Sequence, residues 1–169
     1  MAVVNALIGE FEHEALNTRK LLEAIPDSIL DYRPSPASWT TAQLASHIAE
    51  VYNWYAPTLH QPVFDMATYR YDKGDLTNTA SIVATFEANL LLAREALKTV
   101  KEESLYQPWQ MVMGDTPLIP ETPRIYMVRS FLFNHLYHHR GEMIIYLRAT
   151  GHKVPGLYGP TFEESRSAG

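Results

Sequence analysis

Four stretches of this chain repeat their apolar residues at intervals of three and four, with proline-rich or polar segments between them. That pattern admits long helices laid side by side and little else. The first runs from about Val3 to Ala24, carries Val4, Leu7, Ile8, Phe11, Ala15, Thr18, Leu22 and Ile25 on one side, and stops before Pro26. The second follows the turn-forming segment from Arg33 to Trp39. Thr40 or Thr41 suits its N-cap, and Leu44, His47, Val51 and Trp54 recur until Pro57 ends the pattern. The third, from Thr79 to Lys101, sets Ile82, Phe86, Leu90, Ala93, Leu97 and Val100 on a stripe. The fourth opens near Thr122-Pro123, where proline suits a first helical turn, and ends at Thr150-Gly151, where glycine suits the position after a helix.

The connections are long. Thr58 to Asn78 holds Pro62, Gly74 and the tyrosines Tyr69 and Tyr71, more chain than a simple bundle needs. Between Ser104 and Glu121, Tyr106, Trp109, Met111 and Met113 approximate an alternating pattern, followed by Gly114-Asp115 and Pro117, which suits a short β-hairpin. The expected fold class is therefore all-α, a four-helix bundle with long connections and a short hairpin between the third and fourth helices. One domain is expected over residues 1–159, with 160–169 a frayed tail.

Composition narrows the chemistry. With 14 Lys and Arg against 19 Asp and Glu, the formal charge is −5 and no basic run occurs, so nucleic acid and anionic membrane are poor partners. The absence of cysteine excludes disulfides, thiolate ligands and a cysteine nucleophile, leaving histidine and carboxylate as strong metal ligands. Glu10, Glu12 and Glu14 come too soon for a signal peptide, and no apolar run approaches the ~18 residues of a membrane span. A soluble cytoplasmic protein is expected.

His135 and His139 stand four residues apart on the fourth periodic segment, so a helix points both the same way with about 6 Å of rise. In the stagger Ile125, Val128, Leu132, His135, His139, Glu142, Tyr146, Ala149, both interrupt an apolar stripe, as His47 does between Leu44 and Val51. A lone histidine on such a face is ordinarily a hydrogen-bonded core residue. Three facing one core are costly to bury without partners, whereas one divalent cation satisfies them together. The competing readings are a bundle whose histidines bond to one another and to water, and, from Glu10-x-x-His13, a di-iron bundle. No second copy of that motif exists, because Asn53 and Ile145 stand where its histidines belong. His13 is assigned to a helix flank, His138 to the surface beside the pair, and His60 and His152 to solvent.

With those residues placed, the chain resembles the DinB family, the damage-inducible and YfiT-like group of four-helix-bundle proteins. The resemblance rests on Pro36-Ala-Ser-Trp-Thr-Thr-Ala-Gln-Leu-Ala-Ser-His47-Ile, on Asn134-His-Leu-Tyr-His-His-Arg-Gly-Glu142, and on Gly151 through Pro155 to Tyr158-Gly159. It implies a divalent metal, zinc or nickel, held by His47, His135 and His139, and a homodimer. The wider superfamily includes low-molecular-weight thiol S-transferases and a thiol-dependent isomerase, which implies a small-molecule substrate such as a thiol. Where the family motif commonly carries glutamine after Arg-Gly, this chain has Glu142.

Three neutral histidines leave a coordination position open, the pattern of a catalytic zinc site, which can activate water for hydrolysis or hold a substrate thiol. Glu50 and Glu142 are the carboxylates placed to move a proton or orient a ligand histidine. Arg140 is expected in an ion pair across the bundle, and Trp39, Trp54 and Tyr146 in a pocket wall or the core. The expected function is a metal-dependent enzyme of the thiol S-transferase or hydrolase type. The alternative is a non-catalytic, metal-stabilised stress-response or interaction protein.

Overall fold

The computed structural model describes residues 2–167. Four long helices form where the apolar period predicts them: α1 (Val3–Glu23), α2 (Thr41–Asn53), α4 (Thr79–Thr99) and α6 (Asn134–Ala149). Helix α4 packs on α1 and α2, and α6 packs on α2 and α1, so one core runs along the middle. Phe11, Leu22, Ile48, Tyr52, Phe86, Leu90, Leu136 and Leu147 fill it, each almost fully buried. Helix α2 starts at a capping box in which the Thr40 hydroxyl accepts from the Gln43 N–H and the Gln43 side chain accepts from the Thr40 N–H. Asn78 caps α4 through its side-chain oxygen, which accepts from the Ser81 N–H at 2.8 Å. Gly151, at φ 77°, closes α6 in the left-handed region.

Three expectations need correcting. Pro57 does not end the second helical stretch. The break falls at Trp54, and Pro57 is the third residue of a short helix α3 (Tyr55–His60), inside a first turn where no N–H partner is needed. The fold is mostly helical but not all-α. The expected hairpin exists as β2 (Pro108–Met113) and β3 (Thr116–Pro123), and β1 (Val63–Asp65) from the long connection joins β2 in parallel, giving the order β1-β2-β3. A parallel partner arrives from a distant segment, so no local turn signals it.

The fourth helical stretch also departs from one continuous α-helix. It opens as α5 (Arg124–Met127), passes through a π-helical segment, Val128–Phe133, and only then becomes α6. A π turn takes one extra residue, so a stripe phased on Ile125, Val128 and Leu132 does not continue in register. Beyond it the core face is centred on Leu136, Met143 and Leu147. His135 and Glu142 are therefore half-buried at the margin of that face, rather than along its middle. In the tail, a short helix α7 spans Phe162–Ser167, and residues 168–169 lie outside the described part.

Arg140 lies on the side of α6 that faces α1, and it is 1% exposed. Its guanidinium forms an ion pair with Glu14, donates to the Glu14 carbonyl at 3.0 Å and the Thr18 hydroxyl at 3.3 Å, and contacts the Tyr158 hydroxyl, which itself donates to Glu14 at 2.6 Å. Removing one partner of such a buried pair strands the other, whereas replacing both with apolar groups does not. Arg140→Met should therefore lower stability by about 3–5 kcal/mol in urea unfolding, and the double variant Arg140→Met with Glu14→Leu should recover most of the loss. A single variant as stable as the parent would show that the pair does not hold α6 to α1.

Candidate metal centre

His47 stands two turns into α2, and its partners stand on successive turns of α6. Packing of α2 against α6 brings their imidazoles together. One ring nitrogen from each of His47, His135 and His139 lies within 4.8 Å of the others. Nε2 of His47 and Nε2 of His135 are 3.1 Å apart. Tetrahedral coordination at about 2.0–2.1 Å sets donor nitrogens roughly 3.3 Å apart. The three side chains, with an all-nitrogen donor set, fit a divalent cation. A proton shared between His47 and His135 would satisfy that pair alone and leave His139 out.

Two of the three histidines are oriented from behind. Nδ1 of His47 is 3.1 Å from Glu50 Oε2, and Nδ1 of His139 is 2.7 Å from Glu142 Oε2. Each carboxylate comes three residues after its histidine, so the helix itself delivers it to the ring. A carboxylate on Nδ1 keeps the proton there and turns the Nε2 lone pair inward. Glu142 thus sits behind His139 rather than beside the three donor atoms. Its second oxygen lies 3.4 Å from Nε2 of His138, whose side chain is 65% exposed.

His135 has aromatic neighbours instead, with ring centres at 5.3 Å for Trp54 and 6.0 Å for Phe131. Burial, reinforced by the nearby His139 and His47 rings, holds its pKa down at about 4. Burial also lowers the pKa of His139, against the opposing pull of Glu142. Trp39, 47% exposed, covers the outer side of the cluster at 4.9 Å from His47 and 5.7 Å from His139. Its carbonyl accepts from the Tyr146 hydroxyl at 3.0 Å, and the capping box of α2 begins at the next residue, so both helices hold it in place.

Three clefts open against the cluster, one beside each histidine. The cleft at His139, about 300 Å³, is lined by Ser38, Trp39, Glu142 and Tyr146. The one at His47, about 190 Å³, has Gln43, Glu50 and Lys73 around it. The one at His135, about 370 Å³, runs between the π-helical segment and β3.

The other candidates fall elsewhere. His13 is exposed and sits 3.3 Å from the Asn17 amide, and Glu10 accepts from Tyr137 and pairs with Arg129, so no di-iron arrangement forms around them. His60 is exposed as expected, with Nε2 3.0 Å from the Ala96 carbonyl. His152 is half-buried, not solvated, because the turn after α6 draws its N–H back to the Leu147 carbonyl at 2.9 Å. Trp54 and Tyr146 are core residues at 5% and 8% exposure, although Tyr146 also lines the cleft at His139. Sequence reasoning missed Ile119, Phe131 and Lys73 beside the cluster. Only Phe131, four residues before His135, carried a signal that could have placed it there.

A small, mostly helical protein in which two helices gather three imidazoles, two of them backed by carboxylates, has the donor set of a site that could hold a divalent cation beside open clefts. The particular family is shown by its sequence pattern: residues 1–168 match the DinB family, and the chain belongs to it. It is 28% identical over 166 residues to the uncharacterized protein YrdA of Bacillus subtilis, covering 93% of this chain and 89% of that one. Among solved structures, the DinB-like protein YjoA of Bacillus subtilis superposes with a TM-score of 0.73 at 16% identity, over 90% of this chain and 97% of that one. A DinB-like protein of Bacillus cereus gives 0.68 at 21% identity, over 91% and 97%. YfiT of Bacillus subtilis, described as a probable metal-dependent hydrolase with an unusual four-helix bundle topology, gives 0.61 at 17% identity over 89% of each chain. At these identities the structural likenesses establish the fold.

The depressed pKa of His135 has a pH consequence. Between about 4 and the ordinary value of 6.5, the unfolded chain binds a proton there that the folded chain does not. Stability therefore rises with pH across that window and is lost as pH falls through it. Metal-free protein should need progressively less urea to unfold from pH 6.5 down to 4, and His135→Asn should flatten that dependence. An unchanged slope in the variant would count against a buried, neutral His135.

Proposed function

We propose that this DinB-family chain is a divalent-metal-dependent enzyme, of the hydrolase or thiol S-transferase type, with His47, His135 and His139 as ligands and zinc or nickel as the metal. The observation that carries this is the convergence of three imidazole nitrogens within 4.8 Å, with clefts against the same rings. The description of YfiT as a probable metal-dependent hydrolase supports the same reaction class.

A cation with three neutral protein ligands supplies Lewis acidity at an open position. The chain's own residues do the rest. Glu50 and Glu142 hold the Nδ1 protons of His47 and His139 and so fix the direction of the Nε2 lone pairs. Glu142, half-exposed beside the cleft at His139, is also the carboxylate best placed to take a proton from a substrate in that cleft. Trp39 shields the His47 and His139 rings from bulk water. The alternative, a cation that only stabilises the bundle, would call for a fourth protein ligand. Glu142, the nearest carboxylate to His139, is turned to its Nδ1.

We also propose a homodimer. Leu16 and Leu91 are 53% and 61% exposed, and each is flanked along its helix by the ion-paired residues that join α1 to α4, Glu12 with Arg94 and Arg19 with Glu87. An apolar strip bordered by charges of both signs suits a self-complementary, two-fold contact. The proposed enzyme acts on a small molecule in the cytoplasm, and its net charge of −5 gives it no general attraction for nucleic acid. No helix among the described residues is long and apolar enough to cross a membrane.

Protein purified without chelator or affinity metal should carry about one zinc or nickel per chain by mass spectrometry, lost in both His47→Ala and His135→Ala. Glu142→Gln should keep the metal but bind it about 10–100-fold more weakly. No stoichiometric metal, even after adding either ion back, would end the enzyme reading. For the dimer, light scattering should give twice the chain mass for the parent and a single chain mass for Leu91→Asp. A monomeric parent would refute it.

A further inference from the structure

The three clefts at the histidine cluster differ in kind, and the difference bears on what the substrate looks like. Those at His139 and His47 are bordered by Glu142 and by Glu50 and Lys73, so an apolar group entering either one would strip water from a charge. The cleft at His135 has no Asp, Glu, Lys or Arg in its lining. Ile119 of β3, Met127 and Phe131 form its walls, and Ser130, Asn134 and the exposed His138 stand at its rim with His135 at its inner end.

The walls are held in place before any ligand arrives. The Phe131 ring lies parallel to Trp54, 4.9 Å between centres and 4° between planes, and it also meets Trp109 at 5.7 Å. Trp54 and Trp109 are themselves 5% and 0% exposed. Phe131 and Ser130 belong to the π-helical segment, a departure from α geometry that recurs at functional sites. Phe131 stands four residues before His135, and the two share the same opening. The cleft holds about 370 Å³ and is shallow, more open to solvent than those at His139 and His47.

We propose that the cleft between the π-helical segment and β3 binds an apolar arm of the substrate, an alkyl or single-ring aryl group. The polar or thiol end of the same molecule lies at the histidine cluster. Ile119, Met127 and Phe131 are then specificity-determining residues. The assignment rests on the metal-centre reading above for the reacting end and on the cleft itself for the apolar end.

Two measurements separate those halves. With methyl-labelled protein, phenylmethanethiol and toluene should each shift the Ile119 and Met127 methyl resonances, whether or not metal is bound. In cobalt-loaded protein, the thiolate-to-cobalt charge-transfer band should appear at about tenfold lower concentration of phenylmethanethiol than of 2-mercaptoethanol. Ser130→Trp, at the half-open rim, and Ile119→Asp, in the wall, should each abolish that preference while leaving the 2-mercaptoethanol titration and the cobalt content unchanged. Methyl resonances that stay still with both aryl probes, or a preference that survives in both variants, would overturn the proposal. Shifting methyls without any charge-transfer band would uphold the cleft and sink the thiol reading of the metal centre.

Discussion

The contact on which the arrangement depends is the buried pairing of Arg140 with Glu14. A guanidinium removed from water has few acceptable orientations, and this one is used by the Glu14 side chain and carbonyl, by Thr18 and by Tyr158. It fixes the rotation of α6 about its own axis against α1. His139 is the preceding residue, turned about 100° away around the helix. Once Arg140 is committed to α1, His139 and the aligned His135 are committed to α2, where His47 waits. A purely apolar α6 could pack with its stripe rotated by part of a turn at modest cost. An ion pair in the interior cannot slide that way, which is a use of buried charge for register rather than for net stability.

The parts of the fold that were legible in the sequence are those governed by local rules. The limits of α1 follow from periodicity and Pro26, the span of α4 from periodicity alone, and the start of α2 from the capping threonine at Thr40 or Thr41. The hairpin could be expected from its alternation and Gly114. What could not be read was set by distant partners. Strand β1 is three residues long and is a strand only because β2 lies beside it. The π-helical segment has no compositional mark, and it displaced the phase of the stripe on which the histidines had been placed.

The candidate site divides along the same line. His47, His135 and His139 could be nominated because two share a helical face and the third interrupts another apolar stripe. The backing carboxylates were also visible, since His-x-x-Glu occurs in both helices. Ile119 was not, because it reaches the cleft only through the strand register that pairs Met111 with it across the hairpin. A residue's nearness to a site is readable when a helix repeat carries it there and unreadable when sheet pairing does.

The cluster joins residues 88 positions apart in the chain, His47 on α2 and His135 on α6, in a protein with no cysteine. An ion held at that junction is a covalent staple in all but chemistry. It would bridge a loop that takes in α4, the whole sheet and the π-helical segment, and because only the folded chain presents its ligands together it would stabilise the fold by mass action. Unlike a disulfide, such a staple is indifferent to redox conditions and is opened by acid or by a competing chelator. Because its ligands come together only where α2 and α6 dock, an ion there would be released when that contact opens, and its retention would gauge how often the bundle opens.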